Sequence, residues 1–75
     1  MITDEMILQA VKNSCGVDEI DYETELLESG ILDSYGFIVL LSELEEIGAE
    51  IEPTEVGVES FSTPLEIIRI VRTYQ

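Results

Sequence analysis

The sequence predicts an all-α fold: a four-helix bundle with three main helices and one short third helix. Three observations predict it. Apolar residues recur at helical spacing in three segments, each bounded by capping residues or glycine. No convincing run of alternating apolar and polar residues marks a strand. The chain has 75 residues, one cysteine and no zinc-type cluster, so well-packed helices must supply its stability. That length is also too short for two separately cored units, and residues 1–75 are expected to form a single domain.

The first helix is expected to start at Thr3, whose side chain can cap the first turn, with Asp4 and Glu5 on the favourable side of the helix dipole. Ile7, Leu8, Val11 and Cys15 share one face, and Gly16 is the stop. Cys15 reads as a small core hydrophobe near the helix end. Residues 17–33 form a long acidic connection, but Ile20, Tyr22, Leu26, Leu27, Ile31 and Leu32 are spaced through it. So many apolar residues predict a loop pinned to the core, and long loops in small domains are often functional. Gly30 supplies a backbone geometry that other residues resist.

Ser34 opens the second helix, which Gly48 closes. Phe37, Leu40, Leu41, Leu44 and Ile47 are expected to face the core. Tyr35, Val39, Ser42 and Glu46 fall on the opposite side, with Ile38 and Glu45 on the flank. Three apolar side chains, Tyr35, Ile38 and Val39, are thus left exposed just after Ser34, a pattern that wastes burial unless something docks there. A short third helix is expected between Pro53 and Phe61, weakened by Gly57. The last helix starts at Thr63-Pro64-Leu65-Glu66, which combines an N-cap, a first-position proline and a capping-box glutamate. Leu65, Ile67, Ile68 and Val71 give it an apolar stripe.

Charge narrows the function classes. Seventeen acids against Lys12, Arg69 and Arg72 give a net charge of −14. Such a surface repels nucleic acid and anionic lipid and attracts basic protein patches. The chain opens with acids where a signal peptide needs a basic region, and no apolar run reaches membrane-spanning length; a cytoplasmic, monomeric protein is expected. Crowded carboxylates are expected to repel one another and to have raised pKa values.

Catalysis is not expected. There is no histidine to serve as a general base and no nucleophile elbow around any serine. A calcium loop starting at Asp21 would have Glu23 and Glu25 at its third and fifth positions. It would then need glycine and glutamate where Leu26 and Leu32 stand, so no metal site is assigned. What remains is Asp33-Ser34. Alone, the dipeptide reads as an ordinary serine cap preceded by an acid. Its setting adds weight: a pinned loop ending Gly30-Ile31-Leu32-Asp33, then Ser34, then a helix with exposed apolar residues.

In the stretch from Glu28 to Leu41, followed by Leu44-Glu45, the sequence resembles the acyl carrier protein family: a glycine, two apolar residues, then Asp-Ser opening the second helix. The likeness extends over essentially the whole chain in length, helix order and acidity. It implies that Ser34 is the attachment site for 4′-phosphopantetheine, transferred from coenzyme A by a phosphopantetheinyl transferase. It implies too that Asp33 takes part in metal-assisted transfer. The terminal thiol of the arm would then carry an acyl or aminoacyl group as a thioester. Tyr35 departs from the family, where leucine or methionine is usual.

Within the family the chain is most similar to D-alanyl carrier proteins, through Pro53-Thr54-Glu55-Val56, Phe61-Ser62-Thr63-Pro64 and Ile67-Ile68. Val39 also stands where fatty-acid carriers usually have an acid. Tyr35, Ile38, Val39, Glu45 and Glu46 are the expected docking face for a cargo-loading ligase or acyltransferase with a basic patch. The alternative is an unmodified acidic interaction domain in which Ser34 is only a cap.

Overall fold

The computed structural model describes residues 1–52 and 55–74. It is all-helical among these residues: α1 (Asp4–Cys15), α2 (Ser34–Glu46), a 3₁₀ turn (Val58–Ser60) and α3 (Pro64–Tyr74). Helix α1 packs against both α2 and α3.

Helix α1 begins as its sequence dictates. Thr3 Oγ1 accepts from the Met6 N–H at 3.1 Å, with Asp4 and Glu5 in the first turn. At its other end Gly16 adopts φ 68° and donates to Lys12 C=O at 2.9 Å, a left-handed cap that other residues resist. Ile7, Ala10 and Val11 are buried, whereas Leu8 and Cys15 are half-buried and pack on the core's edge. Ala10 thus joins the stripe.

The connection 17–33 is pinned, as its apolar spacing predicts. Ile20, Leu26 and Leu32 are buried, and Tyr22, Leu27 and Ile31 are half-buried against them. Two backbone bonds tie it to the approach to α3: Leu26 N–H to Ser62 C=O at 2.7 Å, and Leu65 N–H to Tyr22 C=O at 3.1 Å. Gly30, at φ 78°, turns the chain so that Leu32 N–H reaches Leu26 C=O at 2.9 Å. Within the loop, Asp21 Oδ1 accepts from the Glu23 N–H and the Thr24 hydroxyl at 2.9 and 3.0 Å. These bonds, the Glu23 N–H first, hold the Asp21 carboxyl below its ordinary range, against the expectation that crowding raises it. The stability this turn contributes is present above the unfolded aspartate pKa and lost as pH falls through the lower folded value.

Helix α2 buries Gly36, Phe37, Leu40 and Leu44. Leu41 and Ile47, expected in the core, are half-buried at its margin. The buried stripe is rotated toward Gly36 because α1 comes in on that side: a Cβ on Gly36 would sit 3.9 Å from Ser14 C=O. The helix ends at Glu46, and Gly48 follows at φ 102° with its N–H on Glu45 C=O.

The expected short third helix is a single 3₁₀ turn, and Pro53 and Thr54 lie outside the described residues. Gly57 is a weak helix start with no side-chain cap, and Phe61 ends the turn by burying its ring completely. Thr63 precedes Pro64, which disfavours helical backbone there, so only one turn fits between. Phe61 meets Phe37 edge to face, ring centroids 5.0 Å apart at 75°. Helix α3 then starts on its capping threonine, with Thr63 Oγ1 accepting from the Glu66 N–H at 3.3 Å. Ile67, Ile68 and Val71 are buried, but Leu65, placed in the stripe by sequence, is 47% exposed.

Phe61 therefore joins the turn to α2, whereas the Leu65 side chain is largely outside the core. Phe61→Ala should cost about 3–5 kcal/mol in urea unfolding, whereas Leu65→Ala should cost under about 1 kcal/mol. Equal losses would contradict this description of the core.

Candidate functional site

The geometry around Ser34 is built from the helix start outward. Asp33, not Ser34, is the N-cap: its backbone is extended (φ −111°, ψ −174°) and its Oδ1 accepts from the Gly36 N–H at 2.7 Å. The expectation that Ser34 serves as the cap is corrected. Leu32 fixes the register, because its burial forces Asp33 to be the last extended residue before the helix. Ser34 is thereby the first helical residue, exposed, with no hydrogen bond to its hydroxyl among the described residues.

The helix start offers more than a free hydroxyl. Gly36 N–H is taken by the Asp33 carboxylate and Phe37 N–H by the Asp33 carbonyl at 2.8 Å. The N–H groups of Ser34 and Tyr35 find no acceptor among the described residues. Two free donors and the positive end of the helix dipole suit the phosphodiester of a phosphopantetheinyl serine. The group fits on steric grounds too, since Asp33, Ser34 and Tyr35 are all exposed.

Gly36 is the residue that sequence reasoning overlooked. It is buried, and a Cβ there would lie 3.2 Å from Leu32 Cδ1 and 3.3 Å from Asp33 Oδ1. Its small size leaves room for the Leu32 side chain and the capping Asp33 carboxylate. A glycine three residues beyond Asp33 was the available signal. Beside it, burial raises the pKa of the Cys15 thiol, a bond from Ser14 lowers it, and the charge of Asp33 raises it again. The result is a protonated, poorly nucleophilic thiol, consistent with a packing role.

The five residues assigned to a docking face divide along α2. Tyr35 is 78% exposed and Ile38 59% exposed, next to Ser34. Val39, expected to be exposed, is half-buried. Glu45 and Glu46 are exposed at the far end, about 16 Å from Tyr35 along the axis. Apolar contact area thus lies near the serine and acidic charge lies remote from it. Among the described residues no group of three His, Cys, Asp or Glu side chains stands close enough to hold a metal ion.

Comparison with known proteins gives two findings. The family described as "Phosphopantetheine attachment site" matches residues 5–71. The chain is also similar to two D-alanyl carrier proteins. It is 34% identical over 73 residues to that of Abiotrophia defectiva, covering 92% of this chain and 91% of that protein. It is 31% identical over 74 residues to that of Enterococcus faecalis (strain ATCC 700802 / V583), covering 95% of both.

The cap assignment separates two neighbouring substitutions. Asp33→Ala should destabilise the protein by about 0.5–2 kcal/mol through loss of the Gly36 bond, and Asp33→Asn should retain most of it. Ser34→Ala should fall within about 0.5 kcal/mol of the parent. Thermal unfolding of the three variants would contradict the assignment if Ser34→Ala were the costly one.

Proposed function

The chain belongs to the phosphopantetheine-attachment family, and on that premise we propose that Ser34 takes the arm and that the cargo is D-alanine. A member of this family is a carrier rather than an enzyme, and its cofactor is 4′-phosphopantetheine. When bound, the arm supplies a terminal thiol that holds the cargo as a thioester.

The observation that carries the assignment is the unbonded, exposed hydroxyl of Ser34 at the first position of a capped helix. In the transfer, Ser34 Oγ attacks the pantetheine-bearing phosphorus of coenzyme A. The pyrophosphate bond breaks, 3′-phosphoadenosine 5′-phosphate leaves, and the serine proton passes to a base on the transferase. Asp33 accepts one hydrogen bond with Oδ1, which leaves Oδ2 to approach the transferase's divalent cation. In this reading Asp33 has two tasks, capping the helix and drawing the metal to the serine.

Support for D-alanine comes from the two relatives, both D-alanyl carrier proteins that match this chain over nearly its whole length. The partners are then a phosphopantetheinyl transferase and a D-alanine-activating ligase with a basic docking patch. Tyr35 and Ile38 would supply contact area beside the arm, with Val39 contributing its exposed part. Glu45 and Glu46 would steer the approach. Residues 1–75 act as one carrier domain. A cytoplasmic location fits partners that use coenzyme A and ATP. Among the described residues no helix is long and apolar enough to cross a membrane.

Competitive loading tests the cargo. The pantetheinylated protein is offered to a D-alanine-activating ligase with ATP and to a malonyl transferase with malonyl-coenzyme A, with the adduct followed by intact mass. Alanylation should dominate; malonylation without alanylation would contradict the D-alanine reading and leave the carrier assignment standing. Asp33→Asn, folded through its retained cap, should slow pantetheine transfer roughly ten-fold or more if Asp33 serves the metal.

A further inference from the structure

A groove of about 340 Å³ lies between residues 55–62 and α3, and no residue of α2 lines it. Val56 and Ile70, both half-buried on the core, line it with the Tyr74 ring, and Glu55, Glu59 and Glu66 stand around them. Phe61, between Ser60 and Ser62 of the groove wall, turns its ring inward onto Phe37. The groove and the Tyr35–Ile38 surface are therefore separate.

Its charge is nearly uncompensated. Glu66 pairs with Arg69 at 3.3 Å, and both groups are well exposed. Glu55 and Glu59 meet no cation among the described residues. From residue 13 to residue 68 the chain has fifteen acids and no lysine or arginine. Partial burial, then the charges of Glu55 and Glu52, raise the Tyr74 phenol above its ordinary pKa, which reports the same negative field.

We propose that this groove is a second docking surface, whose occupant is a lysine- or arginine-bearing apolar segment of a protein partner. The complementarity has two parts. A basic side chain can lay its methylene stem along Val56 and Ile70 while its charged head meets Glu55 and Glu59. The Tyr74 ring adds a face suited to a cation. A partner seated there leaves Tyr35, Ile38 and Ser34 uncovered, so it can hold the carrier while the arm is handled elsewhere. The inference does not depend on the identity of the cargo.

An amide chemical-shift titration of the full pantetheinylated chain tests it. The probe is the peptide acetyl-Leu-Arg-Leu-amide, compared with acetyl-Leu-Gln-Leu-amide at constant ionic strength. The arginine peptide should give saturable shifts centred on Val56, Ile70 and Tyr74, and the glutamine peptide should give little. The double variant Glu55→Gln, Glu59→Gln, both exposed positions, should weaken binding roughly three- to ten-fold. Ile38→Ala should leave the titration unchanged. Non-saturating shifts, shifts spread over the acidic surface or centred on α2, or insensitivity to the double variant would each overturn the proposal.

Discussion

The fold depends on how residues 17–33 are tied down, and the shortest of those ties is the bond from Leu26 N–H to Ser62 C=O at 2.7 Å. It joins the middle of a seventeen-residue connection to the segment just before α3. Without such a tie, residues 17–33 would be a costly length of chain to order. With it, Leu26 and Leu32 enter the core on either side of the Gly30 turn, and Asp33 emerges at a fixed point and in an extended conformation. From that geometry follow the place of Ser34 as first helical residue, its exposure and the two free N–H groups beside it. The site is therefore positioned by a loop held at both ends, while the helix supplies only the field and the donors.

The distribution of charge adds a second layer. Arg72 binds Ile2 C=O at 2.8 Å and the Asp4 carboxylate, and Arg69 binds Glu66, so two of the three cations are engaged within the chain. All three cations lie in α1 or α3. The connection, α2 and the 3₁₀ turn present acids alone. In the proposed reading, a basic partner approaching from any of those sides is attracted before contact, and Tyr35 and Ile38 beside Ser34 set how long the complex lasts. Pairs this exposed add little to stability, so the arrangement serves encounter more than folding.

Much of this was legible in the chain, and what was not has physical causes. Thr3, Gly16, Gly48 and Thr63-Pro64 mark ends because capping chemistry is local and depends on few residues. The pinned loop was readable because burial of Ile20, Leu26 and Leu32 is demanded by their apolarity alone. The cap of α2 was misplaced by one residue, since aspartate and serine cap equally well and only the burial of Leu32 sets the register. Leu41 and Leu65 fall in apolar stripes, but a helical wheel shows a stripe and not which neighbour covers it: Leu41 is half-buried at the core's margin and Leu65 is exposed. The 3₁₀ turn was read as a helix because the inward pull of Phe61 is a tertiary effect.

On the proposed function, this geometry makes Ser34 the residue that receives the arm. The chain has six serines, Ser14, Ser29, Ser34, Ser42, Ser60 and Ser62, and Ser29, Ser42 and Ser60 are exposed as well. Exposure alone would not choose among them. Incubation with coenzyme A, magnesium and a broad-specificity phosphopantetheinyl transferase, followed by digestion and tandem mass spectrometry, measures the choice directly. A single pantetheine adduct on Ser34, absent in a folded Ser34→Ala variant, is the predicted result. An adduct on another serine, or labelling that persists in Ser34→Ala, would contradict the account.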